Sequence, residues 1–112
     1  MKTVFSGIQP SGLVHLGNLL GAINNWVKLS DGDSKNYFCI VDLHSLTGLP
    51  NKGDLKKSID DTLKVLIASG INLETSVIYK QSDLQEHTYL SWILSNFCQV
   101  GELQRMTQFK EK

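Results

Sequence analysis

Residues 7–18 run Gly7-Ile8-Gln9-Pro10-Ser11-Gly12-Leu13-Val14-His15-Leu16-Gly17-Asn18. This glycine-rich turn carries an amide, an imidazole and a second amide up to the start of an amphipathic stretch. Such groups at a helix start suit a phosphate. The first helical turn leaves backbone N–H groups without intrahelical partners, and the helix dipole adds partial positive charge. The pattern is not G-x-G-x-x-G, and it lacks the lysine of G-x-x-x-x-G-K-[ST]. Plainer readings stand beside this one: His15 as a local cap, Asn18 as a partner for the first turn, and Gly7, Gly12 and Gly17 as turn glycines. A second polar group, Asp42-Leu43-His44-Ser45, follows the apolar run Tyr37 to Val41. His44, just past a predicted strand end and beside Asp42, is poorly explained by packing.

The elements that must position these groups alternate. Lys2 to Phe5 is a short β-prone run, and Leu19, Leu20, Ile23, Trp26 and Val27 follow at helical spacing. Asp31-Gly32-Asp33-Ser34 is a turn cluster, and Tyr37 to Val41 reads as a strand buried on both faces. After a loop over Thr47 to Asn51, Asp54 is the expected N-cap of a helix. That helix turns Leu55, Ile59, Leu63, Leu66 and Ile67 inward and Lys56, Lys57, Asp60, Asp61 and Lys64 outward. Gly70 closes it, Ser76 to Lys80 is a third strand, and Leu90, Ile93, Leu94, Phe97 and Cys98 mark one face of a last helix. His87, near its start, reads as a capping or surface residue. Strands alternating with long helices imply an α/β fold, a Rossmann-like parallel sheet with flanking helices. Ligands of such sheets bind beyond the carboxyl ends of the strands, so Gly7–Asn18 and Asp42–Thr47 are expected to face one cleft.

Composition bounds the rest. The chain has 112 residues, 41% hydrophobic and 20% charged, enough for one domain with a modest core. Eleven basic and eleven acidic residues cancel, so no broad nucleic-acid surface is announced. No apolar run reaches membrane-spanning length, and the first residues leave no room for a signal peptide, so a cytoplasmic protein without a membrane partner is expected. Cys39, in a predicted strand, and Cys98, on a predicted helix, read as reduced structural thiols, with no metal site.

Pro10-Ser11-Gly12 followed by His15-Leu16-Gly17-Asn18 resembles the HIGH signature of class I aminoacyl-tRNA synthetases in an H-x-G-N form. Three longer blocks, Phe5 to Gly12, Ile40 to Thr47 and Gly101 to Lys112, resemble the tryptophanyl-tRNA synthetase family in order and spacing. The resemblance spans the chain and implies ligation of tryptophan to its tRNA through a tryptophanyl-adenylate, with ATP and Mg²⁺. It assigns His15, Asn18 and Lys112 to catalysis, Gln9, Pro10, Ser11, Gly17 and Asn18 to ATP, and Phe5, Gly7, Val41 and His44 to the amino acid. Gln9 reaches either the phosphate or the amino-acid carboxylate. For Phe5 and Val41, core packing is the competing reading. The run from Arg105 to Lys112 would begin a segment that closes over ATP, although alone it reads as a solvated helix end. Family members are longer, homodimeric, and carry a KMSKS signature and an anticodon-binding domain. An amino-terminal fragment of a catalytic domain is therefore expected, largely inactive alone and prone to self-association. Two alternatives remain open: another HIGH-type enzyme, such as a tyrosyl synthetase or a pantothenate-synthetase relative, and a non-catalytic nucleotide-binding module.

Overall fold

Three strands, β1 (Lys2–Ile8), β2 (Ser34–Ile40) and β3 (Ser76–Lys80), form one parallel sheet in the order β1-β2-β3. The computed structural model describes residues 2–10, 19–48 and 51–110. Ser11, Gly12, His15, Gly17, Asn18 and Lys112 lie outside the described residues. Register sets Ile8, Ile40 and Lys80 in one row, so the three strands end level at the carboxyl edge. β1 runs past Phe5 through Gly7 and Ile8, which belong to the strand rather than to the turn expected there, because they pair with Cys39 and Ile40.

Alternation along the strands puts Ile8, Phe38, Ile40 and Ile78 on one face. Helix α1 (Asn24–Ser30), entered through a π-helical turn at Leu19–Ile23, covers that face together with helix α3 (Lys52–Ala68). Ile23, Trp26, Leu66 and Ile71 complete the core, with Val27, Ile59 and Val65 packed against it. Trp26 stacks on Phe38, ring centroids 4.4 Å apart and planes 3° from parallel, and its indole N–H donates to Ser6 Oγ at 3.1 Å. Where the strands begin, buried Asn36 joins neighbouring segments: Nδ2 donates to Thr75 O at 3.4 Å and Leu29 O at 3.3 Å.

The opposite face carries Phe5, Tyr37 and Val77 in one row, with Phe5 64% exposed. The expectation that β2 is buried on both faces therefore holds for Phe38, Cys39 and Ile40 but not for half-buried Tyr37.

Helix α3 corrects two expectations. Asn51, not Asp54, is its N-cap residue: Asn51 is extended, Leu55 N donates to its carbonyl at 3.0 Å, and Asp54 sits in the first turn. The inward stripe runs through Ile59, Thr62, Val65 and Leu66, while Leu63 and Ile67 are exposed. Gly70 does close the helix, at φ +91°, a conformation that favours glycine. Thr62 Oγ1 is buried without a hydrogen-bond partner among the described residues. A buried hydroxyl in that state costs free energy that an isosteric methyl does not. Thr62→Val is accordingly expected to stabilise the chain by about 1 kcal/mol in urea denaturation. A lowered midpoint would mean that the hydroxyl is in fact satisfied.

Beyond β3, a 3₁₀ turn (Gln81–Asp83) leads into α4 (Gln85–Ser95), followed by the short helices α5 (Val100–Leu103) and α6 (Thr107–Lys110). The last long helix forms where predicted, but its apolar face is uncovered: Leu90, Ile93 and Leu94 are exposed, Phe97 is 78% exposed, and Cys98 is exposed beyond the helix end. Periodicity marks a face that can be buried and does not supply the surface that buries it. The radius of gyration, 15.6 Å against about 13 Å for a compact chain of this length, fits elements standing off the sheet.

Candidate functional site

The carboxyl edge of the sheet gathers the polar groups. Val41 N donates to Ile8 O at 2.9 Å, extending the contact between β1 and β2 by one step. Just beyond β1, Pro10 is buried and Gln9 is exposed. A Cβ on Gly7 would lie 2.9 Å from Val41 Cγ1, so only glycine lets the Val41 side chain sit where it does. Phe5 and Gly7 share a face of β1 by strand alternation, and the side chain of Val41 reaches Gly7.

Past β2 the chain turns at once into α2 (Asp42–Ser45), which runs into a 3₁₀ turn at Leu46–Gly48. Asp42 is 7% exposed. Its Oδ1 accepts from Leu43 N and from Ser82 N, each at 3.0 Å, and its Oδ2 accepts from Ser82 Oγ. His44 is exposed, and its backbone N–H donates to Gln81 Oε1 at 3.2 Å. The turns after β2 and β3 are thus joined at two points. A cleft of about 470 Å³ opens beside them, lined by Leu43, His44, Gln81, His87, Thr88 and Trp92 among others. His87 is an exposed residue of α4 whose ring lies nearly parallel to that of Tyr79, centroids 6.3 Å apart.

Three ionisation shifts bear on what this edge can do. Burial pushes the Cys39 thiol up, and burial together with the adjacent thiol pushes the Tyr79 phenol up to about 12. Both stay protonated at neutral pH, so Cys39 does not present a thiolate nucleophile. At the surface, the Lys80 ammonium hydrogen-bonds Asp83 and holds its carboxyl below the usual range, with Nζ 3.1 Å from Oδ1.

Of the residues singled out in the sequence, Gln9, Pro10, Phe5, Gly7, Val41 and His44 fall at this edge or on the strand face leading to it. Arg105 and Met106 fall between α5 and α6, Thr107–Lys110 form α6, and Arg105, Met106, Phe109 and Lys110 are exposed. Sequence reasoning passed over Gln81 and Ser82. The rule that pointed to residues after β1 and β2 applies equally to residues after β3. Among the described residues, no group of His, Cys, Asp and Glu is placed to hold a metal ion. The edge therefore offers the exposed amide of Gln9 and the exposed His44, with the Phe5 ring and Gly7 on the β1 face that leads to it. That set suits binding and aligning reactants.

The family model for class I tRNA synthetases (W and Y) matches residues 1–112. The tryptophan-tRNA ligase of Oceanobacillus iheyensis is 50% identical over 112 residues, covering 100% of this chain and 34% of the relative. That of Clostridium tetani is 48% identical over 111 residues, covering 99% of this chain and 32% of the relative. The chain thus spans about a third of the length of the curated relatives it matches. Among solved structures, tryptophanyl-tRNA synthetase from Mycoplasma pneumoniae matches with a TM-score of 0.88 at 37% identity, over 99% of this chain and 33% of that one. The Campylobacter jejuni enzyme, solved in complex with ADP and tryptophan, matches with a TM-score of 0.79 at 34% identity, over 99% of this chain and 34% of that one.

Proposed function

Because the chain belongs to the class I tRNA synthetases (W and Y), we propose that it is the amino-terminal part of a tryptophan-tRNA ligase catalytic domain, supplying the ATP half of the site. The observation that carries this reading is that Gly7, Val41 and Gln9 lie at or just past the carboxyl ends of β1 and β2, with His44 in the turn after β2 and Phe5 on the β1 face that leads there, while the H-x-G-N motif follows β1 in the sequence.

In the proposed reaction the ionised carboxylate of tryptophan attacks the α-phosphorus of ATP, and the bond to pyrophosphate breaks. A ribose hydroxyl of tRNA then attacks the carbonyl carbon of the resulting adenylate, and AMP leaves. The nucleophile arrives already ionised, so no general base is required, and catalysis rests on alignment and charge stabilisation. His15 and Asn18 take the phosphates, together with Pro10, Ser11 and Gly17 in the same loop, and Lys112 reaches the terminal phosphates in the intact protein. Gln9, exposed at the end of β1, lies between the two ligands in this reading. Phe5, Gly7, Val41 and His44 face the indole. Mg²⁺ in this reading would arrive with the ATP phosphates, as a cation that keeps much of its water commonly does, and would offset their charge. The uncovered side chains of Leu90, Trp92, Leu94 and Phe97 support a homodimer, and recognition of tRNA falls mostly to sequence outside this chain.

The test is an isotope-labelled titration with Mg-ATP and then L-tryptophan, with L-tyrosine as control. Saturable amide shifts around residues 7–18 with Mg-ATP, and around 41–47 with tryptophan, are expected. A response to tyrosine equal to that with tryptophan would move the assignment to a tyrosyl enzyme. A folded chain with no response at either segment would overturn the binding reading.

A further inference from the structure

Asp42 is a nearly buried carboxylate whose three donors include two groups of Ser82, forty residues away in sequence. Burying a charge is costly unless hydrogen bonds replace its hydration, and apolar packing would join two strand ends at lower cost. What this pairing achieves beyond joining them is fixed placement. Ser82 is held against Asp42, and the preceding residue, Gln81, is thereby set to accept the N–H of His44 at 3.2 Å. The carbonyl of His44 is held as well, accepting from Thr47 Oγ1 at 2.9 Å. Both backbone polar groups of this exposed histidine are therefore engaged, at the rim of the cleft that His44 and Gln81 help to line.

We propose that Gln81, braced by the Asp42–Ser82 pair, is a positioning residue for the amino-acid substrate: it fixes the backbone of His44 and so the direction from which the imidazole meets the ligand. This inference rests on the reading of His44 as an amino-acid contact. It adds a residue that follows the third strand to a site otherwise drawn from the first two.

Gln81 is only half-buried, so Gln81→Ala removes the acceptor without opening the core. In amide-shift titrations of the whole chain, Gln81→Ala is expected to weaken L-tryptophan binding roughly 5- to 10-fold, the size of one hydrogen bond, and to leave Mg-ATP binding unchanged. Gln81→Glu keeps an acceptor oxygen and is expected to restore tryptophan affinity. His44→Ala separates the two ideas. If His44→Ala weakens tryptophan binding while Gln81→Ala binds like the parent, the positioning role is overturned and the site reading stands. If His44→Ala binds tryptophan normally, or the parent chain does not respond to tryptophan, the site reading fails and this inference fails with it. Equal losses for tryptophan and Mg-ATP in Gln81→Ala, with spectral dispersion reduced, would mark Gln81 as merely structural and also overturn the proposal.

Discussion

Phe38→Ala is expected to destabilise the chain by about 3–5 kcal/mol, the usual range for emptying an aromatic core site. Phe38 is fully buried on β2, the central strand, and Trp26 stacks on it at 4.4 Å. Phe38 belongs to the one hydrophobic core cluster found among the described residues, so the loss falls on that core. Domains of this size are stable by roughly 5–15 kcal/mol in total, and the variant should therefore populate unfolded states at room temperature. Urea unfolding followed by tryptophan fluorescence reads this well, because the two indoles differ: Trp26 is buried against Phe38, and Trp92 is 72% exposed. A loss below about 1 kcal/mol, far under the aromatic range, would mean that the core is not centred on this strand.

Asp42→Ala is expected to cost about 2–4 kcal/mol, since hydrogen bonds to a charged group contribute roughly 1.5–3 kcal/mol each and the donors of Leu43 and Ser82 would lose their shared acceptor. Asp42→Asn should cost appreciably less, because an amide keeps one acceptor oxygen and can rotate its NH₂ toward the hydroxyl of Ser82. Chemical denaturation of the parent and both variants makes the comparison. Equal losses for alanine and asparagine would show that charge, rather than the acceptor geometry at Ser82, holds the two turns together. The effect should also be local, with amide exchange accelerating at residues 42–48 and 81–83 before the strands open.

Much of the architecture was legible because the signals are local. The third strand forms at Ser76–Lys80 as its β-prone run predicts, and Gly70 takes the positive φ that its place after the helix implies. The turn read over Asp31 to Ser34 holds for Asp31 to Asp33, Ser34 already pairing as the first residue of β2, and the helical spacing of Ile23 and Trp26 was equally readable. Errors came where an element's partner decides the outcome. Leu63 and Ile67 satisfy helical periodicity yet stay exposed, because Thr62 and Val65 complete the stripe that faces the sheet. Leu90, Leu94 and Phe97 repeat with the same regularity and are exposed. Periodicity reports which face of a helix is apolar, and burial requires a second surface whose position periodicity does not encode.

The alternation of strands and helices, the parallel α/β class and the family could be read from the residues alone, because turn chemistry, apolar period and the H-x-G-N motif are properties of neighbouring residues. Sequence reasoning also placed residues 42–47 beyond the end of β2, and it passed over Gln81 and Ser82 beyond β3. Packing in three dimensions set the level ends of the strands at Ile8, Ile40 and Lys80, brought Val41 Cγ1 to 2.9 Å from where a Cβ on Gly7 would lie, and tied Asp42 and His44 to Ser82 and Gln81 across nearly forty residues. Register and long-range hydrogen bonds depend on how separate segments pack in space, and no local pattern of residue types contains that information.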